Sequence, residues 1–279
     1  MITHEFSTHR RYEQTATVLT HTRIVNNEFK LVIRAPKVAQ SASPGQFLEV
    51  LTGENYSPLL RRPFSIFDSD VDAGTISIVY VARGSFTSGL ARLGTGDNLS
   101  VIGPLGVGYQ WQSEQPRRHI LVAGGIGAPP LHFLAQTICA SGADHPVVVI
   151  NGARTEELLV GIKEFADLSL EVKLVTDDGT AGRKGLVIDE LREMLEKDSS
   201  VTPRVYACGP MPMLKAVAEL TNANCVECQV SVETPMPCGI GICMGCTIGV
   251  KSSQEPLGRR LALACTEGPV FDASAVIWS

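Results

Sequence analysis

The chain has 279 residues, 44% hydrophobic and 19% charged, enough for more than one globular domain with a substantial core. Its 24 basic and 29 acidic residues leave a net charge of −5, which argues against a nucleic-acid-binding surface. No apolar run reaches the roughly 18–20 residues of a membrane-spanning helix. The polar opening MITHEFSTHRRYEQ lacks the apolar core of a signal peptide. Eight cysteines without such a signal predict a reducing compartment, and so a cytoplasmic protein.

The stretch to about residue 112 reads as strands. Phe29-Lys-Leu-Val-Ile-Arg-Ala, Gln46-Phe-Leu-Glu-Val-Leu and Thr75-Ile-Ser-Ile-Val-Tyr-Val-Ala are bounded by turn signals at Ser43-Pro-Gly, Asp72-Ala-Gly and Gly94-Thr-Gly-Asp. Short strands at this spacing predict a small antiparallel barrel or sandwich. Within it, Leu60-Arg-Arg-Pro-Phe-Ser-Ile sets an arginine beside an aromatic ring and a hydroxyl. That set can pair with phosphate, stack on a planar ring and hydrogen-bond a ring edge. Taken alone, it also reads as a strand with an exposed base. About twenty residues later, Val79-Tyr-Val-Ala-Arg-Gly-Ser-Phe-Thr-Ser-Gly-Leu places Gly84, Ser85, Thr87 and Ser88 at the start of a short helix. Free N–H groups at such a start attract phosphate. The two segments together predict a flavin nucleotide site.

Beyond Gln115-Pro-Arg-Arg the pattern alternates strand and helix, which implies a parallel, helix-covered sheet. Strands are expected at 119–123, 146–152, 171–176 and 204–208, with helices from Leu131, at Thr155-Glu-Glu-Leu-Leu, from Leu186 to Lys197 and from Met211 to Leu220. Gly124-Gly-Ile-Gly-Ala-Pro-Pro follows a strand and opens a helix, the context for a dinucleotide pyrophosphate. It departs from the full glycine fingerprint, because Pro130 takes the last glycine's place and the next strand ends in Asn151-Gly-Ala-Arg. A tight structural turn is the alternative. Gly209-Pro210 offers another close backbone approach at the sheet edge where such folds bind ligands, and Cys208 beside it could face a nicotinamide ring or simply pack.

A strand from Cys225 to Val232 follows, with Cys225 and Cys228 read as structural because residues three apart on a strand face opposite sides. Then comes Pro-Cys-Gly-Ile-Gly-Ile-Cys-Met-Gly-Cys, with a fourth cysteine after eighteen intervening residues. Cys238, Cys243, Cys246 and Cys265 thus form the Cys-x4-Cys-x2-Cys…Cys pattern of a plant-type [2Fe–2S] cluster. Structural zinc is the competing reading, but the four-residue gap and Gly239, Gly241 and Gly245 suit a cluster loop better. The histidines at 4, 9, 21, 119, 132 and 145 form no ligand pattern.

The order of these segments resembles the ferredoxin-reductase superfamily and, within it, the electron-transfer subunits of dihydroorotate dehydrogenase B. The resemblance covers nearly the whole chain. It rests on Leu60-Arg-Arg-Pro, Thr176-Asp-Asp-Gly, Ala207-Cys-Gly-Pro, Cys238-Gly-Ile-Gly-Ile-Cys and Cys265-Thr-Glu-Gly-Pro-Val-Phe-Asp. It implies an antiparallel β-barrel FAD domain (residues 1–112), a doubly wound parallel α/β NAD(P) domain (113–221) and a small C-terminal [2Fe–2S] domain (222–279). Carried onto matching positions, it implies that Arg62, Pro63, Phe64 and Ser65 line FAD, with Val79, Tyr80 and Val81 along its ribityl and ring. Gly84, Ser85, Phe86 and Thr87 would meet its pyrophosphate, while Gly125, Gly127, Cys208, Gly209 and Pro210 would approach the nicotinamide nucleotide.

The resemblance further implies that NADH reduces FAD and that the cluster relays electrons to FMN in a separate catalytic subunit of a hetero-oligomer, a heterotetramer. There dihydroorotate would become orotate, in pyrimidine synthesis. A hydride carries two electrons and a cluster accepts one, so a flavin must stand between them. Arg154 could meet a 2′-phosphate, but Glu156 and Glu157 would repel one, which favours NADH. Three alternatives stay open: a subunit of an NAD(P)H:ferredoxin oxidoreductase or sulfide dehydrogenase complex, a stand-alone reductase feeding an oxygenase, and a cofactor-free binding module on the same fold.

Overall fold

The structure, a computed structural model, describes residues 10–25, 27–52, 59–115, 117–142, 145–197 and 201–278. The chain divides into two compact units. One comprises residues 1–108, 234–247 and 262–269, the other 109–233, 248–261 and 270–279.

The first unit is all-β apart from two short helices. Its elements are β1 (Tyr12–Arg23), β2 (Glu28–Arg34), α1 (Pro36–Ala39), β3 (Phe47–Thr52), β4 (Arg62–Ser65), β5 (Asp68–Asp70), β6 (Thr75–Val81), α2 (Ser85–Leu90) and β7 (Asn98–Leu105). All seven strands join one antiparallel sheet in the order β4-β3-β7-β1-β2-β6-β5. The sheet curls into a half-barrel, and β4 near one end contacts β6 near the other. Period-two alternation drives one face inward: Ala16 and Val18, Leu31 and Ile33, and Ile76 and Ile78 are fully buried. The expected antiparallel barrel takes this curled, open form.

The second unit has β8 (Arg118–Gly124), a 3₁₀ turn (Gly125–Gly127), α3 (Ala128–Ala140), β9 (Val147–Ala153), a 3₁₀ turn (Glu156–Leu158), α4 (Ile162–Asp167), β10 (Glu171–Thr176), β11 (Arg183–Lys184), α5 (Val187–Glu196), β12 (Pro203–Cys208), α6 (Met211–Ala223) and β13 (Glu227–Ser231). The C-terminal stretch adds β14 (Thr247–Lys251) and β15 (Arg259–Leu263), which form a two-stranded sheet, and β16 (Val270–Asp272). The large sheet runs β11-β10-β9-β8-β12-β13-β16, parallel except for β16, which pairs antiparallel with β13. From β8 the chain moves outward to β11 and then returns to β12, so the order reverses between β8 and β12. Ligands of such sheets bind beyond the carboxyl ends of the strands at that reversal. Gly124–Gly127 and Cys208–Pro210 both stand there.

Local details correct the sequence expectations. Helix α3 starts at Ala128 rather than Leu131, because Pro129 and Pro130 fit a first turn whose N–H groups need no helical acceptor. Helix α6 runs past Leu220 to Ala223. Thr155-Glu-Glu-Leu-Leu contributes only a 3₁₀ turn. Strand β13 begins at Glu227, leaving Cys225 in a turn with φ +54° and only Cys228 in the buried strand.

Candidate functional site

Strand β4 carries Arg62, Pro63, Phe64 and Ser65, and an aromatic cluster gathers beside it. The ring of Phe64 lies 5.7 Å from that of Tyr80, edge-on, and 6.0 Å from that of Phe86. Phe29 stacks on Tyr80 at 5.7 Å, and the Arg62 guanidinium sits 5.6 Å from the Phe86 ring centre. Tyr80 is held at its hydroxyl by His21 Nε2 at 2.9 Å, while His21 Nδ1 contacts the Leu93 carbonyl at 2.7 Å. Burial pushes the Tyr80 phenol up, so it stays protonated. The two arginines of Leu60-Arg-Arg-Pro divide their work. Arg61 donates to the Ser100 carbonyl and hydroxyl and to Glu13, pinning the strand, whereas Arg62 is exposed.

Val79 and Tyr80 are buried on β6, and Val81 ends it half-buried. The chain then turns into α2, where Thr87 Oγ1 accepts the N–H groups of Arg83 and Gly84 at 2.9 and 3.1 Å. The Thr87 hydroxyl is thus committed to capping the helix. Phe86 turns inward, Ser85 is exposed, and no atom lies within 4 Å of where a Cβ on Gly84 would project. This start of α2 has room for a ligand group.

In the second unit the glycines of Gly124-Gly-Ile-Gly do different jobs. A Cβ on Gly127 would overlap the Cys208 carbonyl group and lie 2.7 Å from Gly209 N. One on Gly209 would lie 3.0 Å from Gly124 Cα. These glycines let the turn after β8 and the end of β12 touch backbone to backbone. Gly125, at φ +53°, faces open space. Cys208 is 2% exposed and sits in register with Ser231. Burial pushes its thiol well up and Glu233 adds to that, against the pull of the Ser231 hydroxyl. Cys208 is therefore a neutral thiol at the sheet edge, unsuited to act as a nucleophile. Arg154, Glu156 and Glu157 are exposed after β9. The loops after β9 and β10 are stitched together by Glu156 N donating to Thr180 Oγ1 at 2.8 Å and Thr180 Oγ1 donating to Asp178 at 2.7 Å.

The four C-terminal cysteines all lie in the first unit and fall into two pairs. Cys243 N donates to Cys238 Sγ at 3.4 Å, and Cys246 Sγ lies 3.2 Å from Cys265 Sγ. Ala264 N bonds the Cys246 carbonyl at 3.0 Å, which brings the distant fourth cysteine beside the third. Burial opposes ionisation of Cys238, but N–H donors at Cys243, Ile240 and Ile242, with the Cys243 thiol, bring it down to about 6. Burial and its neighbour Cys246 push Cys265 up to about 12.

Among the described residues, no three Cys, His, Asp or Glu side chains converge as ligands of a single ion. Cys246 and Cys265 sulfurs side by side, with Cys238 and Cys243 sulfurs that each accept an N–H group, fit a two-iron core, in which each iron takes two thiolates, better than a tetrahedral zinc site. The tip of the loop is open: Ile242 is 76% and Met244 56% exposed.

Sequence reasoning passed over two groups. Glu49 on β3 is fully buried, and both its carboxylate oxygens lack a partner among the described residues. Burial and the negative Cys238 raise its carboxyl to about 8, against Arg61 and Arg62. Both faces of β3 are covered, so strand alternation gave no sign of it. The second group is His119 with His145, 5.2 Å apart at ring centres and set against Tyr206, whose hydroxyl lies 3.1 Å from His119 Nδ1. They stand at the amino ends of the strands, away from the ligand edge. His4 and His9 lie outside the described residues.

Comparison with known proteins agrees with this arrangement. A family model for the iron–sulfur cluster binding domain of dihydroorotate dehydrogenase B matches residues 233–277, and one for an oxidoreductase NAD-binding domain matches residues 121–219. The dihydroorotate dehydrogenase B (NAD(+)) electron transfer subunit of Bacillus mycoides is 34% identical over 95% of this chain and 98% of its own length. That of a Geobacillus species is 35% identical over the same shares. Among solved structures, one of an NADH-dependent reduced ferredoxin-NADP oxidoreductase superposes with a TM-score of 0.79 at 27% identity, covering 94% of this chain and 90% of that one. A ferredoxin NADP+ reductase from Neisseria gonorrhoeae with bound FAD and NADP shares the fold, with a TM-score of 0.63 at 16% identity over 76% of this chain and 91% of that one. The chain belongs to the family of electron-transfer subunits of dihydroorotate dehydrogenase B.

Proposed function

We propose that this chain carries electrons between NADH and the FMN of a dihydroorotate dehydrogenase catalytic subunit, through FAD and a [2Fe–2S] cluster. The observation that carries the reading is the gathering of the four cysteines in the same unit as the β4 aromatic cluster, with Cys246 Sγ beside Cys265 Sγ and Cys243 N donating to Cys238 Sγ. Cys238, Cys243, Cys246 and Cys265 hold the cluster. Arg62, Pro63, Phe64, Ser65, Val79, Tyr80 and Val81 form the bed of FAD, and the turn from Gly84 to Thr87 receives its pyrophosphate. Gly125 and Gly127 shape the NADH cleft beside Gly209 and Pro210. Cys208 presents an uncharged thiol to the nicotinamide.

When bound, the flavin accepts an electron pair and the cluster passes electrons singly. The chain's own residues orient and insulate. Thr87 fixes the helix start, His21 holds the Tyr80 ring, and the neutral Cys208 adds no charge where the nicotinamide becomes cationic on oxidation. NADH is the preferred donor, because the exposed Glu156 and Glu157 disfavour a 2′-phosphate. No described helix is long and apolar enough to cross a membrane. The working assembly is a cytoplasmic hetero-oligomer, a heterotetramer, acting in pyrimidine biosynthesis.

Co-expression with a dihydroorotate dehydrogenase catalytic subunit, followed by co-purification, tests this. The expected result is a complex containing FAD, FMN, iron and sulfide that reduces orotate with NADH. The 27% identity to an NADH-dependent reduced ferredoxin-NADP oxidoreductase supplies the competing outcome. Ferredoxin-linked activity without orotate reduction would overturn the reading.

A further inference from the structure

Glu49 occupies the middle of β3, in register with Pro63 on β4 and Ile102 on β7. It is 0% exposed, and neither carboxyl oxygen has a hydrogen-bond partner among the described residues. A buried polar group without a partner costs stability, and an unpaired buried charge costs far more. The two nearby cations are committed elsewhere. Arg61 donates to the Ser100 carbonyl, the Ser100 hydroxyl and Glu13, and Arg62 donates to the carbonyls of Leu60 and Arg61.

The side chain instead runs up against the cysteine loop. A Cβ on Gly239 would lie 2.5 Å from Glu49 Cγ and 2.8 Å from Oε1, so the carboxyl rests on the residue that follows Cys238. Gly239 holds φ +65° there, a conformation that glycine adopts at least cost, and the contact leaves no space for a side chain. A carboxylate in that place would set a negative charge against thiolates with no cation on it. A carboxylic acid would not, and its O–H has no acceptor among the described residues as they stand.

We propose that Glu49, as the acid, donates a hydrogen bond to the sulfur shell of the iron–sulfur centre held by the loop from Cys238 to Cys246, and so acts as a positioning residue that sets the centre's reduction potential. The inference rests on the assignment of the cysteine loop as the cluster site. Hydrogen bonds to the sulfurs are among the levers that tune such centres. A donor stabilises the more negative reduced form and raises the potential. Because Glu49 lies one strand from Arg62 and Pro63, the same residue joins the proposed flavin bed to the cluster loop.

The test uses the full-length chain purified with its cofactors, as wild type, Glu49→Gln and Glu49→Met. Iron, acid-labile sulfide and the EPR signal of the reduced protein come first. Their absence from wild type would refute the cluster assignment itself rather than the role of Glu49. Potentiometric titration then reads cluster and flavin separately. Glu49→Met, which keeps the bulk without a donor, should retain iron and sulfide while its cluster potential moves to more negative values. Glu49→Gln, which keeps an N–H donor, should stay near wild type, and the flavin potential should not move in either variant.

A fully loaded Glu49→Met protein with an unshifted cluster potential would overturn the proposal. So would a shift confined to the flavin, or a Gln variant displaced as far as the Met one. Should Glu49→Met fail to fold, Glu49→Gln labelled with ¹⁵N in its glutamine side chains gives an independent reading. Pulsed EPR should detect a ¹⁵N coupling to the reduced cluster that equally labelled wild type lacks, and no such coupling would defeat the hydrogen bond.

Discussion

Replacing Gly127 with alanine separates the packing role of the glycine turn from cofactor binding by the rest of the chain. The new Cβ would lie 2.7 Å from Gly209 N and closer still to the Cys208 carbonyl, where ordinary contact begins at 3.4 Å. The obstacles are backbone atoms at the end of β12, so no side chain can swing aside and the turn itself must move. Overpacking of this kind costs about 1–3 kcal/mol. At ~2–4 °C per kcal/mol for a folding unit of this size, a cost of ~2 kcal/mol lowers the melting temperature by roughly 4–8 °C. Function should suffer more. A displacement of about 1 Å in positioning groups can cost ~100-fold in rate. NADH-dependent ferricyanide reduction, which reads entry of electrons without the partner, should lose about 10- to 100-fold in kcat/KM while FAD and iron contents stay at wild-type levels. Gly125→Ala makes the contrast. Its Cβ meets open space, and its φ of +53° costs only ~1–2 kcal/mol, so its NADH kinetics should fall further than its modest loss of melting temperature explains. A Gly127→Ala protein with wild-type melting and wild-type NADH kinetics would refute this account of the turn.

Three further outcomes are expected. Cys243→Ser should lose the cluster's visible and EPR signals yet keep FAD and NADH-ferricyanide activity, while electron transfer to the catalytic subunit fails; undiminished orotate reduction would contradict the relay. Burial, aided by His145, Arg204 and Arg117, lowers His119 to about 4 from 6.5. The unfolded chain therefore takes up the proton first, and stability present above pH ~6.5 is lost as the pH falls toward 4, by up to about 3 kcal/mol. His119→Phe should flatten the fall in urea midpoint between pH 6.5 and 4.5, whereas an equal slope would exclude His119 as its source. Thr87→Val removes the acceptor for two N–H groups at the start of α2, at ~1 kcal/mol. FAD should then dissociate about 5-fold more readily on fluorescence titration, and unchanged affinity would remove Thr87 from the flavin site.

What the sequence made legible followed from local signals. The alternation in Phe29–Ala35 and Thr75–Ala82 placed β2 and β6, and the strand–glycine–helix order at 119–131 placed the nucleotide edge. The cysteine spacing singled out four residues that the fold gathers in one unit. What stayed hidden depended on tertiary contact. Nothing near Gly127 in sequence announces that Cys208 lies against it. Glu49 sits in a run that reads as any strand, with no sign in the sequence that Gly239, almost two hundred residues away, packs against it. His119 and His145 likewise meet only across neighbouring strands. Helix α3 begins three residues before the expected Leu131, because Pro129 and Pro130 fit a first turn. The run from Cys225 to Val232 reads as one strand, but the chain turns at Cys225 and the strand begins at Glu227.

Strands β13 and β16 are antiparallel neighbours, and Ser231 pairs with Val270. The entire excursion that carries the cysteines therefore leaves and rejoins the NAD-binding sheet at the same rung, like a purse drawn shut by its string. Its ends stay together whether or not the cluster is present, so losing the metal frees a closed loop rather than a long tail, and a closed loop has less entropy to gain. Oxidative damage to the cluster should then be a local event. A chain stripped of its iron would keep the NAD-binding sheet folded and hold the four thiols in a confined volume, ready to be reloaded without unfolding the rest.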